Sequence, residues 1–187
     1  MRRLIVFNSI SLDGYFVDPK GDMSWAHNSS PEFDAFVEEN AKGGGVLLFG
    51  RKTYDLMVSF WPTPMAAQAY PVVAERMNNL PKVVFSRTMD KPQWNNTKLV
   101  KDDIAGAIRR MKQESGVGMA IMGSGSIVAR LALEGLIDEY QVVVIPVVLG
   151  GGRTMFEGLK EKLRLKLIKN RVFSNGNVFL CYEPAKA

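Results

Sequence analysis

The stretch VLLFGRKT, at residues 46–53, decides the fold, because an apolar run meets a glycine and a polar segment there. Four consecutive apolar residues are typical of a strand that is buried on both faces. Gly50 allows a tight turn, and the residues after it begin a predicted helix that ends near residue 58. A buried strand that leads directly into a helix is the repeating unit of a mostly parallel sheet.

The same unit recurs along most of the chain. Ser30 is predicted to cap a helix that begins at Pro31, and Asp102 is predicted to cap another. Residues 11–30 are predicted to form a long loop. The further strands are predicted at residues 4–7, 82–85, 119–122 and 140–145, and the further helices at 66–79 and from Gly125 to Leu133. Residues 162–169 and 177–182 are predicted to pair as a closing antiparallel hairpin around the Asn175–Gly176 turn.

Composition excludes several classes of protein. The chain has 187 residues, of which 47% are hydrophobic and 23% charged, as in an ordinary globular domain. A single cysteine, Cys181, excludes a disulfide framework and a paired-cysteine zinc site, and the single histidine, His27, argues against a Ser-His-Asp hydrolase. No linker divides the chain, so we expect one domain over residues 1–187. No apolar run reaches the length of a membrane span, and we expect a cytoplasmic protein.

The net charge of +5 is local rather than spread over the chain. Residues 160–171 carry six basic side chains and one acid, and the rest of the chain is balanced. Leucines alternate with basic residues from Lys162 to Leu167, which indicates a strand with one solvated face near the edge of the sheet. The charge therefore gives no reason to expect a nucleic acid or a membrane as partner.

Three strand ends carry residues suited to an anionic ligand. Ligands of such sheets bind at the carboxyl ends of the strands. There the sequence places Gly50–Thr53, residues 86–88 (Ser-Arg-Thr) and residues 123–126 (Gly-Ser-Gly-Ser). Two cations at a helix start oppose the helix dipole, and a bound anion would relieve that conflict. Each segment alone could be an ordinary turn, whereas the three together favour a long, phosphorylated ligand.

These motifs give the chain a resemblance to the dihydrofolate reductase superfamily. The run Phe49–Tyr54 (FGRKTY), the serine-containing strand end near residue 86 and the segment GSGSI at 123–127 carry it. The opening SISLDGYF at 9–16 and the segment PVVLGGG at 146–152 resemble the reductase domain of the riboflavin-biosynthesis deaminase-reductase and its stand-alone relatives.

The resemblance implies a three-layer sandwich around a central sheet of about eight strands, NADPH as hydride donor, and a homodimer. By position, Gly50, Arg51, Lys52 and Thr53 would hold the phosphates of the cofactor. The adenosine and its 2′-phosphate would lie near Ser86, Arg87 and Thr88, and the pyrophosphate and nicotinamide ribose along Gly123, Ser124, Gly125, Ser126 and Ile127. Arg87 favours NADPH over NADH, because the extra phosphate needs a local cation.

The catalytic residues are less well marked. The resemblance places Asp13 near the reactive end of the cofactor, although an aspartate before Gly14 is also typical of a turn. By analogy with the helix acid of dihydrofolate reductases we predict Asp34, with Glu32 and Glu38 nearby, and the alternative is a solvated helix face.

Candidate substrate-binding residues are Trp25, Trp61, Gly150 and Gly151, and His27 could act as an acid. The expected function is NADPH-dependent hydride transfer to a small heterocyclic or carbonyl/imine substrate. A nucleotide-binding module without turnover is the alternative.

Overall fold

The structure is a computed structural model that describes residues 1–185 and forms an eight-stranded sheet. The strands run in the spatial order β5-β4-β3-β6-β1-β7-β10-β9, and a small separate sheet pairs β2 with β8. The strands are β1 (Leu4–Ser11), β2 (Tyr15–Val17), β3 (Val46–Gly50), β4 (Lys82–Phe85), β5 (Thr97–Val100), β6 (Met119–Met122), β7 (Glu139–Ile145), β8 (Arg153–Thr154), β9 (Leu165–Val172) and β10 (Val178–Pro184). The first six strands of the large sheet pair in parallel, and β10 pairs antiparallel with both β7 and β9.

Helices cover both faces of this sheet, so the predicted three-layer α/β sandwich is confirmed. The helices are α1 (Pro31–Lys42), α2 (Arg51–Phe60), α3 (Pro64–Ala69), α4 (Pro71–Asn79), α5 (Ile104–Gln113) and α6 (Gly125–Leu133). Alternate residues of β3 separate the layers: Leu48 packs in the cluster that contains α5 and α6, and Leu47 packs in the cluster of α2 and α4. None of the helices within residues 1–185 is long and apolar enough to cross a membrane.

Two helix predictions are corrected. The helix predicted over 66–79 is two helices, because Pro71 cannot continue the first one and Tyr70 takes a non-helical conformation (φ −140°, ψ 64°). The cap predicted at Asp102 is at Asp103, whose Oδ1 accepts a hydrogen bond from the Gly106 N–H at 2.9 Å.

Several strand and loop predictions are also corrected. β1 does not end at Phe7 but continues to Ser11, because residues up to 11 stay paired with β7. The predicted loop over 11–30 contains β2 and a short 3₁₀ turn at Ser24–Ala26. β9 covers Leu165–Val172 instead of 162–169, and it is the outermost strand. The sequence analysis did not predict β5 or β8, which are short and exposed or half-buried.

The strand order places a crossing point between β3 and β6. These strands are neighbours, yet the chain leaves β3 through α2 toward β4 and leaves β6 through α6 toward β7. The two helices therefore begin side by side at the same edge of the sheet and diverge onto opposite faces. Such a crevice is where ligands bind in open α/β sheets.

Candidate active site

The starts of α2 and α6 are joined by hydrogen bonds. The Gly50 N–H donates to the Ser124 Oγ at 2.8 Å, and the Ser124 N–H donates to the Thr53 Oγ1 at 3.1 Å. Gly123 is anchored from the other side, since its N–H donates to the Asn8 Oδ1 at 2.5 Å. The side chains of Ser124 and Thr53 thus fix the relative position of two helix N-termini. Their role in this structure is to build the site, and Asn8 is a contributor that the sequence analysis did not identify.

Neither helix start is capped by a side chain. Gly50 and Ser124 occupy the N-cap positions of α2 and α6, and no side-chain cap hydrogen bond or first-turn acid is found at either helix in the described chain. Uncapped N–H groups at the positive end of a helix dipole attract anions. Arg51 and Lys52, both exposed in the first turn of α2, add positive charge at the same place.

Close packing within the chain requires glycine at two positions along this edge. Gly123 has a positive φ of 60°, and a Cβ on it would lie 2.8 Å from Thr53 Oγ1. A Cβ on Gly125 would lie 2.9 Å from Phe16 Cε1, so a side chain at this position is excluded by steric conflict. Of the other predicted residues in this segment, Ser126 is exposed and Ile127 is buried, where its Cδ1 packs 3.3 Å from the position of a Gly50 Cβ.

A groove of about 410 Å³ lies between α2 and the loop that follows β4. It brings Arg51 together with Thr88, as the sequence motifs predict for two parts of one ligand site. Apolar side chains contribute to its lining alongside charged ones, and the groove is formed by Arg51, Tyr54, Asp55, Val58, Thr88, Met89, Asp90, Lys91 and Gln93. A mixed lining of this kind suits a flat heterocycle that carries a charged group.

Local contacts hold both walls of this groove. The Arg51 Nε donates to the Asp55 Oδ2 at 2.6 Å, an i,i+4 ion pair that sets the direction of the guanidinium. The Ser86 Oγ accepts hydrogen bonds from the backbone N–H groups of Thr88 (3.3 Å) and Met89 (3.1 Å), and it therefore shapes the loop. Arg87 is exposed on that loop.

Asp13 connects two loops at the carboxyl ends of β1 and β7. Its carboxylate accepts hydrogen bonds from the Ser11 Oγ at 2.6 Å, the Leu149 N–H at 3.1 Å and the Gly150 N–H at 2.8 Å. The bond from the Ser11 hydroxyl, with smaller contributions from the two backbone groups, lowers the pKa of Asp13 below its ordinary value. Asp13 is thus an ionised acceptor at neutral pH, and it positions Gly150.

The acids of α1 are engaged in local contacts. Asp34 accepts a hydrogen bond from the Ser29 Oγ at 2.6 Å. Glu32 accepts from Arg171 at 2.9 Å and from the Ser174 N–H at 3.2 Å, and the bond from Arg171 is the main cause of a lowered pKa at Glu32. Glu32 therefore faces the outer strand β9. Glu38 is half-buried.

The predicted substrate residues lie in separate places. Trp25 packs with the cluster of α1 and the outer strands, which contains Phe33, whereas Trp61 packs with the α2–α4 cluster and makes edge-to-face contacts with Phe60 and Tyr70. The loop around Gly150 and Gly151 approaches the segment after β2, where a Cβ on Gly151 would lie 3.4 Å from Pro19 Cγ. His27 is exposed.

The sheet with its crossing point between β3 and β6 is an open α/β fold of the kind that binds ligands at the carboxyl ends of its strands. The model of the RibD C-terminal domain matches residues 2–179, and the chain belongs to that family. The suspected superfamily is thereby confirmed, and the family with its structural neighbours indicates a reductase-type oxidoreductase.

Individual relatives and solved structures are similar to the chain over nearly its whole length. The uncharacterised protein YyaP of Bacillus subtilis (strain 168) is 28% identical over 183 residues, which cover 97% of this chain and 95% of YyaP. A candidate riboflavin biosynthesis protein from Shewanella sp. PV-4 is 28% identical, covers 98% of this chain and 99% of its own, and superposes with a TM-score of 0.75. Dihydrofolate reductase from Enterococcus faecalis, complexed with NADP(H) and RAB-propyl, shares the fold at 16% identity, with coverage of 98% and 97% and a TM-score of 0.67.

Proposed function

We propose that the protein is an NADPH-dependent reductase that transfers hydride to a small heterocyclic or carbonyl/imine substrate. The observation that carries this proposal is the pair of uncapped helix starts at Arg51 and Gly125, joined through Ser124. Two helix starts that lie side by side and have no side-chain cap suit a pyrophosphate, which has anionic oxygens on two phosphorus atoms. Membership in a reductase family supports the same ligand.

The other parts of NADPH would bind next to these helix starts. The groove between α2 and the loop after β4 would take the adenosine, with Arg51 and Arg87 near its 2′-phosphate. The segment from Gly123 to Ile127 would lie along the pyrophosphate and the nicotinamide ribose. Bound there, NADPH supplies the hydride, and the chain supplies alignment and the exclusion of water.

The loops beyond β1 and β7 would surround the substrate. Asp13 holds the Gly150 N–H at 2.8 Å, so it acts as a positioning residue for the loop that contains Gly150 and Gly151. Because its carboxyl group is ionised, Asp13 does not supply the proton that completes a reduction. Asp34 and Trp25 stay candidates for the substrate side on the strength of the resemblance.

One observation favours the alternative, a nucleotide-binding module without turnover. Asp13 accepts three hydrogen bonds as an ionised carboxylate, whereas a reductase needs a proton donor near the acceptor atom. Either function is compatible with a cytoplasmic location, since the buried thiol of Cys181 forms no disulfide.

The test is a calorimetric titration of the purified protein with NADPH and with NADH, followed by a turnover assay. Consumption of NADPH is recorded by loss of its absorbance with a panel of pterins, aminopyrimidines, carbonyls and imines. Binding of NADPH with consumption by at least one class supports the reductase. Binding with no consumption favours the module, and no detectable binding at millimolar NADPH contradicts both.

A further inference from the structure

Lys82 is a buried cation that the proposed reaction does not use. It is the first residue of β4 and is only 1% exposed. Its ammonium nitrogen donates hydrogen bonds to the carbonyls of Asn78 (2.9 Å) and Leu80 (2.7 Å), at the carboxyl end of α4. The same nitrogen lies 4.7 Å from the centroid of the Trp94 ring. The ammonium is thus held between a helix C-terminus and an aromatic face, both of which attract a cation.

The groups that surround the Lys82 ammonium are neutral. The neighbouring strands β3 and β5 align Leu47 and Thr97 with it. Tyr54, on α2, is a titratable group that faces Lys82 from behind the Trp94 ring. The charged side chains of α4, β5 and the loop after β4 are exposed to water: Glu75, Arg76, Arg87, Asp90, Lys91 and Lys98. Burial therefore lowers the pKa of Lys82 to about 8.

A buried cation of this kind does not serve the stability of the fold. The pKa of Lys82 lies below the ordinary value of 10.5, so the unfolded chain binds this proton more tightly than the folded protein does. The stability of the fold is therefore lower while Lys82 is protonated, and it rises with pH between the folded and the unfolded pKa. A residue that is kept at the expense of stability is expected to contribute to function.

Trp94 connects Lys82 to the groove between α2 and the loop after β4. Its indole N–H donates to the Asn78 Oδ1 at 2.8 Å, and its backbone N–H donates to the Tyr54 Oη at 2.7 Å. Tyr54 lines the groove from α2, and Gln93, next to Trp94 in the chain, lines it from the loop. Trp94 is 5% exposed, and it therefore joins the two walls of the groove beneath the surface.

We propose that Lys82 is a positioning residue for this groove, which it shapes through Trp94. The protonated ammonium attracts the face of the ring, and the ring in turn fixes Tyr54 and the segment that ends at Gln93. Neutral Lys82 can still donate to the two carbonyls, but it loses the attraction to the ring. The groove then binds its ligand most tightly below about pH 8. The effect on NADPH rests on the proposed function, in which this groove takes the adenosine.

The first test needs no ligand. Tryptophan emission of wild type, Lys82→Met and Lys98→Met is recorded over a pH range that brackets the pKa of Lys82. Methionine removes the charge at similar length, and Lys98→Met is the control because Lys98 is exposed on the neighbouring strand β5. Wild type and Lys98→Met should show a transition with a midpoint of about 8, and Lys82→Met should show none. A transition that persists in folded Lys82→Met, or that is absent from wild type, overturns the proposal.

The second test measures the NADPH dissociation constant by calorimetry at one pH below and one pH above the pKa of Lys82. The constants of wild type and Lys98→Met should rise by about 10-fold at the higher pH, as the loss of a desolvated cation–π contact predicts. Lys82→Met should bind as weakly at the lower pH as wild type does at the higher one. Wild-type affinity in Lys82→Met at the lower pH overturns the proposal. A wild-type protein that does not bind NADPH contradicts the proposed function instead, and the emission test still decides the role of Lys82.

A second variant, Trp94→Leu, keeps the tests decisive if Lys82→Met does not fold. It removes the ring and leaves Lys82 with its two carbonyl partners. Folded Trp94→Leu should bind NADPH about 10-fold more weakly than wild type at the lower pH, with no further loss at the higher one. A pH dependence like that of wild type in this variant would show that Lys82 does not act through Trp94, and it would overturn the proposal.

Discussion

Five helix starts of the described chain fall into two groups that differ in how their N–H groups are satisfied, and the start of α4 at Tyr70 and Pro71, outside the candidate site, also has no side-chain cap. α1, α3 and α5 begin at Ser30, Thr63 and Asp103, and each of these side chains accepts a hydrogen bond from its own first turn. α2 and α6 begin at the candidate site without such a cap. Side-chain capping contributes about 1 kcal/mol to helix stability. The two starts that meet in the crevice combine the absence of a cap with the exposed cations Arg51 and Lys52, an arrangement that suits an anionic ligand.

The first turns of α1 and α2 also differ in charge. The first turn of capped α1 contains Glu32 and Asp34, as the helix dipole favours, whereas the first turn of α2 contains Arg51 and Lys52. A capped start serves the stability of the fold. An uncapped and basic start is suited to binding an anion.

The largest effect is expected from removing the cations at the site. The double change Arg51→Ala with Arg87→Ala should weaken NADPH binding by about 100-fold and NADH binding by much less, because hydrogen bonds to charged groups are worth about 1.5–3 kcal/mol each. Calorimetric titration with both cofactors measures the ratio. Arg109→Ala, which removes an arginine paired with Glu134 away from the site, is the control and should change neither. Equal losses for NADPH and NADH would remove the case for a 2′-phosphate site.

A second change makes an uncapped start resemble a capped one. Ser126→Asp introduces an acid into the first turn of α6, where Ser126 is exposed. It should stabilise the fold by about 0.5 kcal/mol through the helix dipole. It should also weaken NADPH binding by about 30-fold, since the charge repels a phosphate.

Met65→Asp is the matched control for that change, because Met65 is 70% exposed in the first turn of capped α3. The two variants are compared by thermal unfolding and by titration. Met65→Asp should affect stability alone. A Ser126→Asp protein that binds NADPH as tightly as wild type would place the phosphates elsewhere.

A third comparison uses one serine from each group. Ser30→Ala should lower the free energy of unfolding by about 1 kcal/mol and leave NADPH binding unchanged, because it removes an ordinary cap. Ser124→Ala removes the acceptor of the Gly50 N–H and should weaken NADPH binding by about 10-fold. Chemical denaturation and titration of both variants measure the two quantities. The reverse pattern, with binding lost in Ser30→Ala, would contradict the distinction between the groups.

The smallest effect concerns pH and Asp13. The hydrogen bond from the Ser11 hydroxyl lowers the pKa of Asp13 in the folded protein. The ionised Asp13 carboxylate therefore stabilises the fold above about pH 4, and this stabilisation is lost as the pH falls through the pKa that Asp13 has in the folded protein. Thermal unfolding of wild type and Asp13→Asn should therefore differ at pH 7 and converge under strongly acidic conditions. A difference that is independent of pH would show that the ionised carboxylate does not hold Gly150.

Much of the fold follows from local signals in the sequence. β3, β4 and β6 are apolar runs that a buried parallel strand requires, and Ser30 with Pro31 marks the start of α1. Pro71 also marks the break between α3 and α4, since proline cannot continue a helix. The prediction of a single helix over 66–79 did not take this proline into account. β5 has only four residues, exposed or half-buried, and no periodicity distinguishes it from a loop.

The segments of the candidate site can be identified in the sequence, but their arrangement in space cannot. The glycine and hydroxyl motifs at residues 50–53 and 123–126 identify two strand ends. The contact of Ser124 with Gly50 depends on β3 and β6 being neighbours, and strand order is not encoded in either motif. Asn8 and Asp55 were missed for the same reason, because their significance lies in the partners that the fold brings to them.

The most direct test of the central claim follows backbone amide resonances while NADPH is added to isotopically labelled protein. If the starts of α2 and α6 bind the pyrophosphate, the largest shifts should occur at residues 50–53 and 123–127, with small shifts at the capped starts near Ser30, Thr63 and Asp103. Saturable binding whose largest shifts lie at the capped starts, or away from both groups, would contradict the account.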